Sequence, residues 1–147
     1  MRKILVIHGP NLNMLGSREP QVYGSETLND IDRNINERAR GYDLSVETFQ
    51  SNSEGDLVDK IQKSINETSL IIINPAAYTH TSVAIRDALL ATSIPAIEVH
   101  LSNIHKREDF RKKSLVSDIV VGHISGFGPF GYLMAVDAAA DYMKGGR

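Results

Sequence analysis

The sequence predicts an α/β fold, a parallel sheet covered by helices on both faces. The apolar period switches repeatedly along the chain between short continuous runs and stretches spaced three and four apart. The runs at 4–7 and 70–73 are wholly apolar, as strands buried on both faces are. Strands that alternate with helices in this way build a parallel sheet, because each return to the sheet needs a crossover connection.

Each element has its own warrant. Ile4–Ile7 reads as the first strand, closed by Gly9-Pro10. From Thr27, residues Leu28, Ile31, Ile35 and Ala39 recur at helical spacing, and Gly41 ends that helix. Leu44–Phe49 reads as the second strand. Ser53 and Asp56 open a helix that carries Leu57, Ile61 and Ile65 on one face. Leu70–Ile73 is the third strand, β-branched but for one residue. Thr81–Leu90 is the next helix, and Ile94-Pro95 ends it before a strand at Ala96–Val99. A short charged helix at 105–112, a fifth strand at Ile119–Val121 and a closing helix at Gly131–Met143 complete the pattern. Five strands of this kind suggest a flavodoxin-like, three-layer α/β/α arrangement with strand order 2-1-3-4-5. The expectation is one domain over residues 1–147, without repeats or linkers.

Composition excludes several function classes. At 41% apolar and 23% charged residues the chain has an ordinary globular mix, not that of a disordered or fibrous protein. A net charge of −2 gives no basic footprint for nucleic acid or an acidic membrane surface. There is no cysteine, which rules out disulfides, thiolate catalysis and zinc–thiolate sites and fits a cytoplasmic protein. Ile4–Ile7 is too short for a signal-peptide core, and no stretch approaches the roughly 20 apolar residues of a membrane span.

In such sheets a ligand sits beyond the carboxyl ends of the strands, near the switch between strands one and three. Three polar features converge there. The loop at about 12–25, within His8-Gly-Pro-Asn-Leu-Asn-Met-Leu-Gly-Ser-Arg-Glu-Pro-Gln-Val-Tyr-Gly24, is longer than compact domains usually carry, which marks it as a candidate lid. Arg18 and Tyr23 lie inside it. Asn74 ends the third strand. Glu98 and His100, two apart, share a face of the fourth, where a central strand should be apolar. They read either as a mutually satisfied pair or as a general acid whose tautomer a carboxylate sets. His80, in Thr79-His-Thr-Ser82, is either a loop residue beside a cap or a ligand group. Arg107 and Arg111, spaced i, i+4, form either a solvated face or a contact to a hydroxylated or carboxylate ligand. The five histidines lack a metal-site spacing. Gly126-Phe-Gly128-Pro-Phe-Gly131 matches a dinucleotide pattern, yet too little chain follows it for the second half of that unit, so it reads as a structural turn.

With these residues assembled, the chain resembles type II 3-dehydroquinate dehydratases along essentially its whole length. The resemblance runs through Gly9-Pro-Asn-Leu-Asn13, Leu15-Gly16, Arg18-Glu-Pro20, Tyr23-Gly24, Gln50-Ser-Asn-Ser-Glu54 and Asn74-Pro75. It continues with Tyr78-Thr-His-Thr-Ser-Val-Ala84, Arg86-Asp87, Glu98-Val-His100, Ser102-Asn103, Arg107, Phe110-Arg111 and Gly126-Phe-Gly128. His8 stands where Asn is more usual, and Ala76 where Gly is. The resemblance implies a hydro-lyase that converts 3-dehydroquinate to 3-dehydroshikimate through an enolate, without cofactor or metal, in a dodecamer built from trimers. It further implies Tyr23 as the base, Arg18 as its activator, Asn11 as the holder of a water at the enolate, and His100 with Glu98 as the acid. Asn74, Leu101 and Ser102 would hold the carboxylate, His80 and Arg111 the ring hydroxyls, and Asp87 would reach a neighbouring subunit's site. A flavodoxin-like carrier of FMN is the rival reading. The loop after the first strand has few hydroxyls to cradle a phosphate, which weighs against it.

Overall fold

The structure, a computed structural model, describes residues 2–17 and 24–145. Five strands form one parallel sheet: β1 (Lys3–His8), β2 (Ser45–Gln50), β3 (Leu70–Asn74), β4 (Ala96–His100) and β5 (Gly122–Ser125). Their order is β2-β1-β3-β4-β5, as the sequence predicts. The helices are α1 (Leu28–Arg40), α2 (Glu54–Lys63), α3 (Val83–Thr92) and α4 (Phe130–Lys144). β1, β3 and β4 are buried along nearly their entire length, which is why their sequences are continuous apolar runs.

Alternation along these strands divides the core. Ile4, Val6, Leu70, Ile72, Ile97 and Val99 pack against α1 and α4 through Ile31, Ile35, Tyr132 and Val136. Leu5, Ile7, Ile71, Ile73 and Ala96 pack on the other face against Leu57 and Ile61 of α2 and Ile85 and Leu89 of α3. Local chemistry starts each helix. Thr27 and Asp30 form a capping box on α1, each side chain accepting from the other's backbone N–H, and Ser53 and Ser82 cap α2 and α3.

Three expectations need correction. Residues 105–112 are not one helix but two 3-10 turns, Ile104–Lys106 and Asp109–Arg111. Their charged run has no apolar face to bury, so nothing drives a longer helix. The fifth strand lies at Gly122–Ser125, after the run Ile119–Val121, whose first two side chains pack on the α2/α3 core from a loop. A short apolar run alone does not distinguish a strand from a loop packed on the core. Ile65 lies beyond the end of α2 and is exposed.

The carboxyl ends of β1 and β3 are drawn tightly together. The Gly9 N–H donates to the Asn74 carbonyl at 2.8 Å, and a β-carbon on Gly9 would lie 2.4 Å from the Pro75 carbonyl oxygen. Only glycine fits there. Just beyond, Ala76 sits at φ 54°, in the left-handed region. This explains in physical terms why glycine suits position 76: a β-carbon in that region costs about 1–2 kcal/mol. Ala76→Gly should therefore stabilise the protein, by about 0.5–1 kcal/mol after the entropy of glycine is subtracted. Thermal melts check this, and an unchanged or lower Tm would mean that packing of the Ala76 methyl outweighs the strain.

Candidate active site

A cavity of about 180 Å³ opens at the carboxyl ends of β1, β3 and β4, at the predicted crevice. The loop after β1 lines it with Pro10, Asn11, Leu12, Met14 and Leu15, and β3 and the turn after it contribute Asn74, Ala76, Ala77 and His80. β4 and the following turns supply His100, Leu101, Ser102, Ile104, Arg107 and Arg111. Eight of the residues singled out in the sequence thus meet at one cavity: Asn11, Asn74, His80, His100, Leu101, Ser102, Arg107 and Arg111.

Glu98 stands behind His100. Both lie on the face of β4 that carries Ala96, on the α2/α3 side of the sheet. The His100 Nε2–H donates to Glu98 Oε2 at 2.5 Å, which leaves Nδ1 as the ring nitrogen available for proton transfer. Ser114 and Ser117 donate to the same carboxylate at 2.7 and 2.5 Å. Glu98 is fully buried, and burial pushes its carboxyl up; the hydrogen bonds from His100 and Ser117, with that from Ser114, outweigh burial and hold the pKa below its ordinary value. Glu98 is therefore a carboxylate at neutral pH that fixes the ring of His100.

Asn11 is held in the left-handed region at φ 69°, a conformation asparagine tolerates, with its N–H donating to Asn52 Oδ1 at 2.9 Å. Gln50 braces the same loop, donating to the Gly9 carbonyl and to Asn52. His80 ends the turn Ala76–His80 rather than opening a helix, and its Nδ1 lies 2.7 Å from the Lys113 carbonyl. A carbonyl only accepts, so Nδ1 carries the hydrogen. Arg111 pairs with Glu108 at 2.6 Å, and Arg107 donates to Ser102 Oγ at 3.2 Å. Both arginines reach the cavity from the loose turns, without a shared helix face.

Asp87 is not part of this cavity; it lies exposed on α3. Arg18 and Tyr23 lie outside the described residues. The flanks of that segment come close together, since a β-carbon on Gly16 would lie 3.1 Å from the Ser25 carbonyl oxygen. The glycine motif serves a turn: the Gly126 and Gly128 N–H groups donate to the carbonyls of His100 and Leu101, so they are not turned to a phosphate. His123 of β5 joins Glu98 and His100 in a group whose ligand-type atoms lie within 4.8 Å of one another. Sequence spacing gave no sign of it, because position 123 meets position 98 only through strand pairing.

Comparison with known proteins agrees with this geometry. The model of the family described as dehydroquinase class II matches residues 2–140. The chain belongs to the class II dehydroquinase family. A 3-dehydroquinate dehydratase of Prochlorococcus marinus is 56% identical over 142 residues, covering 97% of this chain and 95% of that protein. One from Geotalea daltonii is 55% identical, covering 97% and 99%. Among solved structures, type II dehydroquinase from Propionibacterium acnes superposes with a TM-score of 0.92 at 43% identity, covering 96% of this chain and 97% of that one. The enzyme from Butyrivibrio crossotus gives a TM-score of 0.90 at 50% identity, covering 93% and 96%. Membership in the class II dehydroquinases sets aside the FMN-carrier reading.

Proposed function

We propose that this class II dehydroquinase removes water from 3-dehydroquinate to give 3-dehydroshikimate, in the shikimate pathway, by anti elimination through an enolate. The observation that carries the reading is the buried Glu98–His100 pair at the mouth of a polar crevice. Tyr23, favoured as tyrosinate by Arg18, takes the C2 proton α to the ketone, and the electron pair passes to the carbonyl oxygen. Asn11 holds a water that steadies the resulting enolate. The enolate then expels the C1 hydroxyl, which takes a proton from His100 and leaves as water. Asn74 and the backbone at Leu101 and Ser102 hold the substrate carboxylate. His80 and Arg111 hold ring hydroxyls.

A base, an acid and enolate stabilisation suffice for this reaction. The Schiff-base route to the same product needs a desolvated lysine. Among the described residues no lysine lines the cavity; Lys3 and Lys60 pair with Glu47, and Lys112 pairs with Asp109. The test is to mix the protein with 3-dehydroquinate and follow the conjugated enone in the ultraviolet, with and without borohydride. No enone would sink the function, and substrate-dependent inactivation by borohydride would sink the enolate route.

The segment at about 12–25 is read as the cover of the site, within one catalytic domain, and the protein as cytoplasmic. Among the described residues no helix is long and apolar enough to cross a membrane. Asp87, exposed on α3, is read as completing the site of a neighbouring subunit in a trimer, with four trimers forming a dodecamer. Light scattering should then give a mass that is a multiple of three chains, and a fully active monomer would refute the assembly.

A further inference from the structure

Behind Asn74, on the α1/α4 side of the sheet, stand three polar side chains that the mechanism does not use: Tyr132, His8 and Asp32. His8, which ends β1 directly beside Asn74 in the β1–β3 register, is fully buried, as is Tyr132 of α4. Asn74 Nδ2 donates to the Tyr132 hydroxyl at 3.0 Å. The same hydroxyl lies 3.0 Å from His8 Nδ1, and His8 Nε2 lies 2.8 Å from Oδ1 of Asp32 on α1. Four side chains from four elements thus run from the helix layer to the rim of the cavity.

Every hydrogen in this chain has a forced place. The Ala76 N–H donates to Asn74 Oδ1 at 3.1 Å, so that end of the amide is the oxygen and the other end the nitrogen. Tyr132 accepts from that nitrogen, and among the described residues the acceptor in reach of its own buried hydrogen is His8 Nδ1. His8 is then protonated at Nε2, where Asp32 accepts. Burial holds the Tyr132 phenol well above its ordinary range, so it remains an O–H that can both accept and donate. Turning the Asn74 amide over would set its NH₂ against the Ala76 N–H, donor against donor. The arrangement has one solution, and it spends one of the two Nδ2 hydrogens on Tyr132. The second is left.

We infer that Tyr132, held by His8, is a positioning residue for Asn74, locking its amide so that the cavity is offered an N–H and the substrate group met there is a hydrogen-bond acceptor. Asp32 sets the tautomer of His8 that makes this possible. The inference rests on the proposed function in one respect, that Asn74 touches substrate. The imidazole of His8 spans from the Tyr132 hydroxyl to Asp32 on α1.

The experiment is steady-state kinetics with 3-dehydroquinate on the intact enzyme, after the wild type has been shown to turn over. Failure of the wild type would overturn the function reading rather than this one. Tyr132→Phe removes one oxygen and should raise KM about five- to tenfold with kcat little changed, as expected for loss of an interaction made equally in ground and transition states. In an Asn74→Ala background the same substitution should add nothing, because its effect passes through that amide. An unchanged KM, or an equal rise in both backgrounds, would overturn the inference and leave Tyr132 as core packing. Should Tyr132→Phe fail to fold, His8→Leu and His8→Gln carry the test. Glutamine returns an acceptor to the Tyr132 hydroxyl and leucine does not. A KM raised by leucine and restored by glutamine supports the inference, and equal KM values in the two overturn it.

Discussion

His100→Ala should lower kcat by about 10²–10⁴, the usual worth of a positioned proton transfer. The loss should be selective. In the proposed route the C2 proton leaves before the hydroxyl does, so exchange with solvent should survive better than elimination. Comparing deuterium incorporation with enone formation separates the two steps, and equal losses would mean that His100 is not the acid. The geometry gives the expectation its force: the ring is 5% exposed, and Glu98 engages its Nε2 at 2.5 Å. Removal of the imidazole also leaves the buried Glu98 carboxylate short of one of its three donors, so part of any loss of stability belongs to that group. His100→Asn retains a donor and gauges that part.

Tyr23→Phe should nearly abolish turnover while binding of a substrate analogue remains largely intact. Tyrosine at its reference pKa of about 10 is ionised only to about one part in a thousand near pH 7. Making the tyrosinate the main form there costs about 4 kcal/mol. An arginine about 4 Å away at an effective dielectric near 20 supplies about that much, and burial opposes it. Arg18→Ala should therefore slow turnover severely and move the basic rise of the pH–kcat profile to higher pH. Near-normal kcat in Tyr23→Phe would put the base elsewhere. Calorimetry with an analogue and initial rates check both variants.

The legible and illegible parts of the molecule differ in a physical way. β1 and β3 were readable because a strand buried on both faces must be apolar at every position, and α1 because its buried face repeats at helical spacing. The same rule exposed Glu98 and His100, since two polar side chains on a buried strand break it. The turns at 104–111 and the late start of β5 were not readable: a charged run and an apolar triplet each fit several local structures, and tertiary packing chooses among them. The spacing of Arg107 and Arg111 marked them as possible ligand contacts, but they reach the cavity from two separate turns and not from the one helix that the spacing suggested. Ser114 and Ser117, which complete the environment of Glu98, and Tyr132, which meets His8 across 124 positions, carry no periodic signal at all. Partners this remote become neighbours only when the sheet closes.

The three donors gathered on Glu98 also govern how the enzyme meets acid. Its carboxyl is held below its ordinary value in the folded protein, so the unfolded chain binds the proton at position 98 more readily. Unfolding in mild acid then takes up a proton there. This contribution is complete above the unfolded pKa of about 4.5 and is lost as pH falls through the folded value. Urea titrations at a series of pH values should show the stability of the wild type falling across this window, with a shallower fall in Glu98→Gln. An equal fall in both would assign the acid lability to other carboxylates. The carboxylate that fixes the ring of His100 is thus also a place where acidity undoes the fold.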